Sequence, residues 1–291
     1  MFLFYLKLLS KKMILLHELN SFEEGEVIKR PSQFCKTPYV ADVKTDNIES
    51  IMAHSPSLGC RGLADKNAKV ILSKKRESKN NKCSHTIDLS IYKEGENETV
   101  IGINPNLAEI IAEKALINNC INGLTNIKSY RKQTTVLTSR FDFTGIDSNG
   151  VPFIMEIKSV PLADYVDVIE KERKKYKDII EKKKYHEKIA YFPDGYRKSV
   201  KDVVSPRALK HIEELGNIAK TSITRPIMCF VIQRDDVISF QPSNIDPIYK
   251  KAVQDAWKNG VEIKVLQVKW TKEGKCYFVR NDLPIYLFEI H

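Results

Sequence analysis

The sequence predicts an α/β (α+β) protein of two domains, a small all-β barrel followed by a mixed sheet flanked by helices. Three observations carry that expectation. Short β-rich runs with polar, Gly-containing breaks fill the chain up to about residue 103, and helical spacing enters only after it. The 291 residues are 42% hydrophobic, enough to bury a core and too many for a disordered or fibrous polymer.

The barrel expectation rests on Tyr39–Val43, Ser50–Ala53, Lys69–Leu72, Thr86–Tyr92 and Thr99–Ile103. Asn106 then offers an N-cap to LAEIIAEKALIN, with Glu109 three residues on as a capping box and Leu107, Ile110, Ile111 and Leu116 as the buried stripe. Val136–Ile146 and Pro152–Val160 read as strands around a turn at Asp147–Gly150. Pro206–Leu215 reads as a helix started by Ser205 and Pro206. Cys229–Gln233 reads as a central strand, Asp246-Pro247 caps a helix ending at Gly260, and Val261–Val268 returns as a strand. The division expected is an extension over residues 1–24, a barrel over 25–104 and an α/β domain over 105–291.

The first residues, MFLFYLKLLSKKMILLHEL, are apolar but carry Lys7, Lys11 and Lys12 and lack a small-residue cleavage site, so an added strand or helix covering the first domain is expected rather than a signal peptide. The longest apolar runs, such as Pro226–Ile232, fall far short of the roughly 20 residues of a membrane-spanning helix. Cys35, Cys60, Cys83, Cys120, Cys229 and Cys276 show no C-x-x-C pair, which argues against a zinc module and a secreted disulfide framework. Reduced thiols in an intracellular, cytoplasmic protein are expected.

Lys and Arg number 47 against 37 Asp and Glu, a net charge of +10, which points to a polyanionic partner, because clustered cations release counterions from phosphates. One cluster, SKKRESKNNK, sets Lys74, Lys75, Arg76, Lys79 and Lys82 on a loop between strands with Glu77 as its sole acid. A second, Val168–Lys188, holds nine Lys or Arg against five Asp or Glu, and reads as a solvated helix held by Glu/Lys pairs.

Candidate chemistry concentrates in SRFDFTGIDSNGVPFIMEIKSV. Strand period puts Arg140, Asp142 and Thr144 on one face and Phe141 and Phe143 on the other, while Glu156 and Lys158 share a face opposite Met155, Ile157 and Ser159. An Asp, a Glu and a Lys then converge. Asp142, Glu156 and the Ile157 carbonyl would offer oxygens to a magnesium or manganese ion that keeps several waters, and Lys158 would hold or help deprotonate an attacking water. The alternative is a set of cross-strand charge pairs on a solvated sheet face.

Taken together and in order, IKRPSQF, GINPNLAEIIAEKAL, SRFDF, MEIKSV, YFPDG, PRALKHIEEL and CFVIQRDDVISFQPSNIDP resemble the sugar fermentation stimulation protein family over about Val27 to Val268. The resemblance implies an N-terminal OB-fold barrel, a C-terminal domain of the PD-(D/E)XK nuclease type and nonspecific binding of DNA, double- or single-stranded. Position by position it carries the motif aspartate to Asp142, the E-x-K to Glu156 and Lys158, flanking positions to Arg140 and Ser159, and the FPD element to Phe192, Pro193 and Asp194. It also carries a helical R-x-x-K-H to Arg207, Lys210 and His211, whose i, i+3, i+4 spacing predicts a shared face for phosphate or supporting contacts, or for plain solvation. The chain departs from the family pattern at Gln133, where a Glu is usual, and at HSPSLG (His54 to Gly59). The lysine-rich segment at about 164–190 looks like an insertion.

No G-x-x-x-x-G-K-[ST], G-x-G-x-x-G, H-E-x-x-H or G-x-S-x-G occurs, which removes nucleotide hydrolysis, dinucleotide redox and zinc peptidase readings. Two functions stand: a metal-dependent DNA nuclease acting through Asp142, Glu156 and Lys158, and a non-catalytic DNA-binding regulator that keeps the fold as a scaffold.

Overall fold

A closed ring of five strands follows a short β1 (Leu15–Glu18): β2 (Phe22–Lys29), β3 (Val40–Thr45), β4 (Ile51–His54), β5 (Lys69–Lys74) and β6 (His85–Glu94). The ring runs β2-β3-β4-β6-β5 and back to β2, all neighbours antiparallel except the parallel β4–β6 pair. That is the strand order of an OB barrel, filled by Val27, Val43, Ala53, Val70, Leu72 and Ile87. The computed structural model describes residues 13–58, 60–76, 82–193, 195, 202–221 and 223–288.

Of the strands expected for the barrel, the last lies outside the ring. β7 (Asn97–Gly102) pairs with the far half of β6 and touches β15 (Glu262–Trp270) at Val100↔Trp270, which joins the barrel to the second sheet. The N-terminal strand also departs from expectation. Instead of covering the barrel, β1 pairs antiparallel with β16 (Lys275–Arg280), closing an edge that would otherwise leave backbone donors and acceptors unpaired. Lys7, Lys11 and Lys12 lie outside the described residues.

The second sheet runs β8 (Ser129–Val136), β9 (Ser139–Ile146), β10 (Pro152–Val160), β13 (Arg225–Ile232) and β15, with β10, β13 and β15 parallel and β8 and β9 antiparallel. The strand expected at Val136–Ile146 is β9, which follows a turn at Leu137–Thr138; the partner arm before it, SYRKQTTV, is too polar to read as a strand. Helix α1 (Pro105–Ile117) packs on one face beside Phe143, Met155 and Val231. Helices α2 (Pro206–Thr221) and α3 (Pro247–Lys258) cover the other, beside Phe141, Ile154 and Phe230. A small sheet of β11 (Ala163–Asp164), β12 (Lys188–Phe192) and β14 (Val237–Pro242) stands apart.

Two local readings change. The N-cap of α1 is Asn104, whose Oδ1 accepts from the Asn106 amide at 3.0 Å, with Pro105 at the first helical position, so Glu109 lies too deep in the helix to close a capping box. The lysine-rich segment is not one helix. It breaks into the short turns Glu170–Arg173, Lys174–Tyr176 and Lys177–Ile180, because it is tethered inward at both ends. Asp167 is buried on Gln241, Ser243 and the Asn244 amide, and Lys188 is buried against Glu94 at 3.0 Å and Asp236 at 3.2 Å.

The junction of the two sheets leaves no room at Gly102. A Cβ there would stand 2.4 Å from Gln233 Oε1 and 2.5 Å from Trp270 Nε1, the two atoms that bond each other at 2.8 Å. Gly102→Ala is expected to destabilise the protein by about 3 kcal/mol, through overpacking and loss of that buried bond. A lowered urea midpoint checks this; an unchanged one would show that the junction gives way without cost. All six cysteines are free thiols. Among the described residues no helix is long and apolar enough to cross a membrane.

Candidate active site

The β9–β10 ladder pairs from Pro152↔Ile146 to Met155↔Phe143 and then opens. In the opening, Asp142 Oδ2 accepts the Ile157 amide at 2.8 Å, taking the donor that a ladder partner would have used. Opposite, Gln133 sits between the pairs Lys132↔Phe143 and Thr134↔Phe141 with φ 53, a left-handed backbone uncommon for a non-Gly residue. The strand alternation therefore changes phase at this point. Phe143 packs in the α1-side core near Tyr130, whereas Phe141 packs in the α2-side core, 5.7 Å from the His211 ring, so the two phenyls do not share a face as expected from period two.

Asp142, Glu156, Ile157, Lys158, Ser159 and Arg207 line one cavity of about 390 Å³. Its walls also include Ser57 of the barrel, Asn106 and Glu109 of α1, Gln133 and Phe192. Glu156 is buried. Its Oε1 receives Lys158 Nζ at 2.5 Å and the Nδ1–H of His211 from α2, while its Oε2 is buried with no hydrogen-bond partner. Burial raises its pKa, but the His211 bond and the Lys158 charge outweigh it, and the carboxyl stays below its ordinary value. Asp142 goes the other way, pushed up to about 6 first by desolvation and then by the facing Glu156 charge.

The remaining expected residues are placed differently. Ser159 Oγ accepts from Gln233 Nε2 at 3.3 Å. Arg140 is exposed on β9, two residues before Asp142 and outside the cavity lining. Lys210 turns to the β8–β9 turn, bonding the Thr138 carbonyl at 2.9 Å, so Arg207, Lys210 and His211 do not act on one face: one is at the rim, one on the turn and one buried. Asp194 and Lys79 lie outside the described residues; Lys74 is exposed at the end of β5, and on the loop that follows Arg76 and Lys82 are exposed and Lys75 is half-buried.

Sequence reading missed Glu109 as a site residue. Its Oε2 accepts from Gln133 Nε2 at 2.7 Å, and the same amide donates to Asp142 Oδ1 at 3.1 Å. A signal was present: Glu109 and Glu113 are like charges at i, i+4, unfavourable unless donors face them, and Lys132, Tyr130 and Gln133 supply those donors.

Whether these residues fit a divalent cation can be judged from the donor set. Glu156 Oε2, unpartnered, and the neighbouring Asp142 both present hard oxygens to the cavity, which suits magnesium or manganese. Among the described residues no three His, Cys, Asp or Glu side chains converge as a metal cage, so water or substrate oxygens would complete the shell.

Fold and site together define an α/β protein in which an OB-type barrel abuts a mixed sheet bearing a carboxylate–lysine cavity. Residues 106–274 match the family described as the sugar fermentation stimulation protein RE domain. Sugar fermentation stimulation protein homologs of similar sequence occur in Brucella anthropi (30% identical over 227 residues, 77% of this chain and 83% of the relative) and Clostridium perfringens strain SM101 (29% over 248 residues, 84% and 90%). The chain belongs to the sugar fermentation stimulation protein family. The structure described as Pyrococcus furiosus SfsA in complex with Ca2+ superposes with a TM-score of 0.71 at 18% identity, covering 94% of this chain and 99% of its own.

Because the folded Asp142 pKa lies above its ordinary value, this residue's own contribution to stability is greatest below about pH 4, where folded and unfolded states both hold the proton, and is lost as the pH rises through about 6. Asp142→Asn removes that loss. In chelator at pH 7 the variant is expected to exceed the parent by about 1–2 kcal/mol, with the gap closing near pH 4. Urea unfolding at the two pH values measures it, and a destabilised variant at pH 7 would contradict it.

Proposed function

We propose that this protein binds DNA through its basic surface and hydrolyses phosphodiester bonds in the cavity with a magnesium or manganese ion held by Asp142 and Glu156. The observation that carries this reading is the buried Glu156 Oε2, unpartnered beside Asp142 and Lys158 in a cavity open to solvent. A PD-(D/E)XK arrangement is supported by the same hairpin: the Asp stands on one strand and the E-x-K on its antiparallel neighbour. The Ca2+ complex of the Pyrococcus furiosus relative is in keeping with a hard cation in this family.

When bound, the cation would polarise a phosphoryl oxygen and lower the pKa of water. The chain's own groups do the rest. Lys158, anchored by Glu156, holds the attacking water or the scissile phosphate at the cavity wall. His211 fixes the Glu156 carboxylate from behind, and Arg207 at the rim meets the phosphate backbone.

A second reading is favoured by Gln133, whose amide already bridges Glu109 and Asp142. In it the cavity is a scaffold and the protein a non-catalytic DNA-binding regulator. Calorimetry with Mg2+ and Mn2+ separates the two. Under the first reading the parent binds the cation, Asp142→Asn and Glu156→Gln lose it, and Lys158→Ala keeps it while losing cleavage of linear, supercoiled and single-stranded DNA. A parent that neither binds a cation nor cuts leaves the second reading standing.

DNA binding itself is expected to follow the basic loop. Changing Lys74, Lys75 and Arg76 to Ala should weaken binding to all sequences and lower the log–log salt slope on duplex by about 0.9 per lost phosphate contact. An unchanged slope removes this loop from the interface.

A further inference from the structure

The barrel carries aromatic rings that neither its core nor the cavity uses. In barrels of this strand order, oligonucleotides bind across the second and third strands, flanked by the first-to-second and fourth-to-fifth strand loops. Here the described residues of those loops are 30–39, 75–76 and 82–84. The first presents Phe34, 71% exposed, and Tyr39, 41% exposed, together with the exposed Lys36. The second presents Lys75 and Lys82. His54, at the end of the third barrel strand, stacks on Tyr39 with ring centroids 6.5 Å apart and planes 24° from parallel.

The loop that displays Phe34 is firmly built. Buried Asp42 accepts Ser32 Oγ at 2.5 Å and the Gln33 amide at 2.8 Å, and Arg30 Nε donates to the Pro38 carbonyl at 2.8 Å. Phe34 therefore stands in water on a held backbone. The same anchors reach the cavity. Arg30 Nη2 bonds the Ser57 carbonyl at 2.6 Å, the Ser55 amide bonds the Tyr39 carbonyl at 2.8 Å, and Ser57 is part of the cavity wall. Hydrogen bonds thus tie the aromatic loop to the segment that carries Ser57 into the cavity wall.

We infer that this face binds single-stranded DNA, with bases stacking on Phe34 and on the Tyr39–His54 pair, phosphates meeting Lys36, Lys75 and Lys82, and the strand leading past Ser57 into the cavity. The inference rests on the DNA-binding reading above and specifies its substrate. A phenyl ring has no hydrogen bond to offer a phosphate or a groove edge. It gains from a nucleic acid by covering the flat face of a base, and in duplex those faces are already covered by neighbouring bases. Flanking lysines supply the sequence-independent attraction that such binding requires.

The test uses the full chain in chelator, with fluorescein-labelled oligodeoxythymidine of about 20 nucleotides and a duplex of equal length, read by anisotropy. Phe34→Ala and Tyr39→Ala are each expected to weaken single-strand binding by about 5- to 100-fold while leaving duplex affinity within about twofold. Phe34→Tyr is expected to retain binding, and Phe34→Leu to behave like Phe34→Ala, which separates stacking from simple apolar contact. Both positions are exposed, and unchanged unfolding midpoints show that the variants are folded. Unchanged single-strand affinity in both alanine variants, or an equal loss on duplex, overturns the inference and leaves the DNA-binding reading in place. A parent that binds neither DNA form overturns both.

Discussion

The burial of the Glu156 carboxylate is the constraint around which the second half of the molecule is arranged. A lone carboxylate in a central strand costs several kcal/mol, and it stays ionised only when donors close on it. Two do: Lys158 from the same strand and His211 from α2, 55 residues further along the chain. Because His211 must reach the sheet, α2 is set over β10 with one register, and Phe141 packs against the imidazole rather than beside Phe143. The phase change in β9 that this requires is absorbed at Gln133 and Asp142, where the ladder opens and the cavity begins. Site and packing are consequences of one buried charge.

A second set of buried charges holds the barrel against that sheet. Lys188 is enclosed by Glu94 and Asp236 and lies over the rings of Tyr185, Tyr165 and Tyr92 at 3.5, 4.9 and 5.8 Å. Arg234 adds two bonds to Asp236 and one to the Pro161 carbonyl. Glu94 and Tyr92 belong to the strand that leaves the barrel, whereas Lys188, Arg234 and Asp236 belong to the second half. In a dry setting, charges without their partners would be far more costly than the pairs themselves, so each half holds the other to one arrangement. Ser57 of the barrel and Asp142 of the second sheet are thereby kept in the wall of one cavity.

The lysine-rich segment shows how the same logic reshapes a stretch that looks plain. Its exposed lysines satisfy helical charge pairing, yet its flanks carry Asp167 and Lys188, which need buried partners. Satisfying those partners breaks the segment into short turns, because tertiary burial of charge outweighs the few tenths of a kcal/mol that each surface Glu/Lys pair contributes to a helix.

Local pattern was enough to read four of the five ring strands, though not the charged β2, together with the start of α2 at Ser205 and Pro206, the Asp246 cap, and the convergence of Asp142, Glu156 and Lys158, because strand period, capping and turn chemistry act over a few residues. The same range of interaction explains what could not be read. Polar β8 is a strand only because β9 pairs with it; Glu109 leaves a supposed capping box for the cavity because Asn104 and Pro105 start the helix earlier; and Gln133 takes a left-handed backbone where two carboxylates share its amide. Spacing set His211 beside Arg207 and Lys210 as a phosphate or supporting contact, or as part of a solvated face, and only the fold made it the partner of Glu156. Amino-acid order determined which groups could carry charge and which segments could pair; folding in three dimensions decided which charges had to be buried together, because the cost of an unpartnered buried charge is felt only once the chain has closed around it.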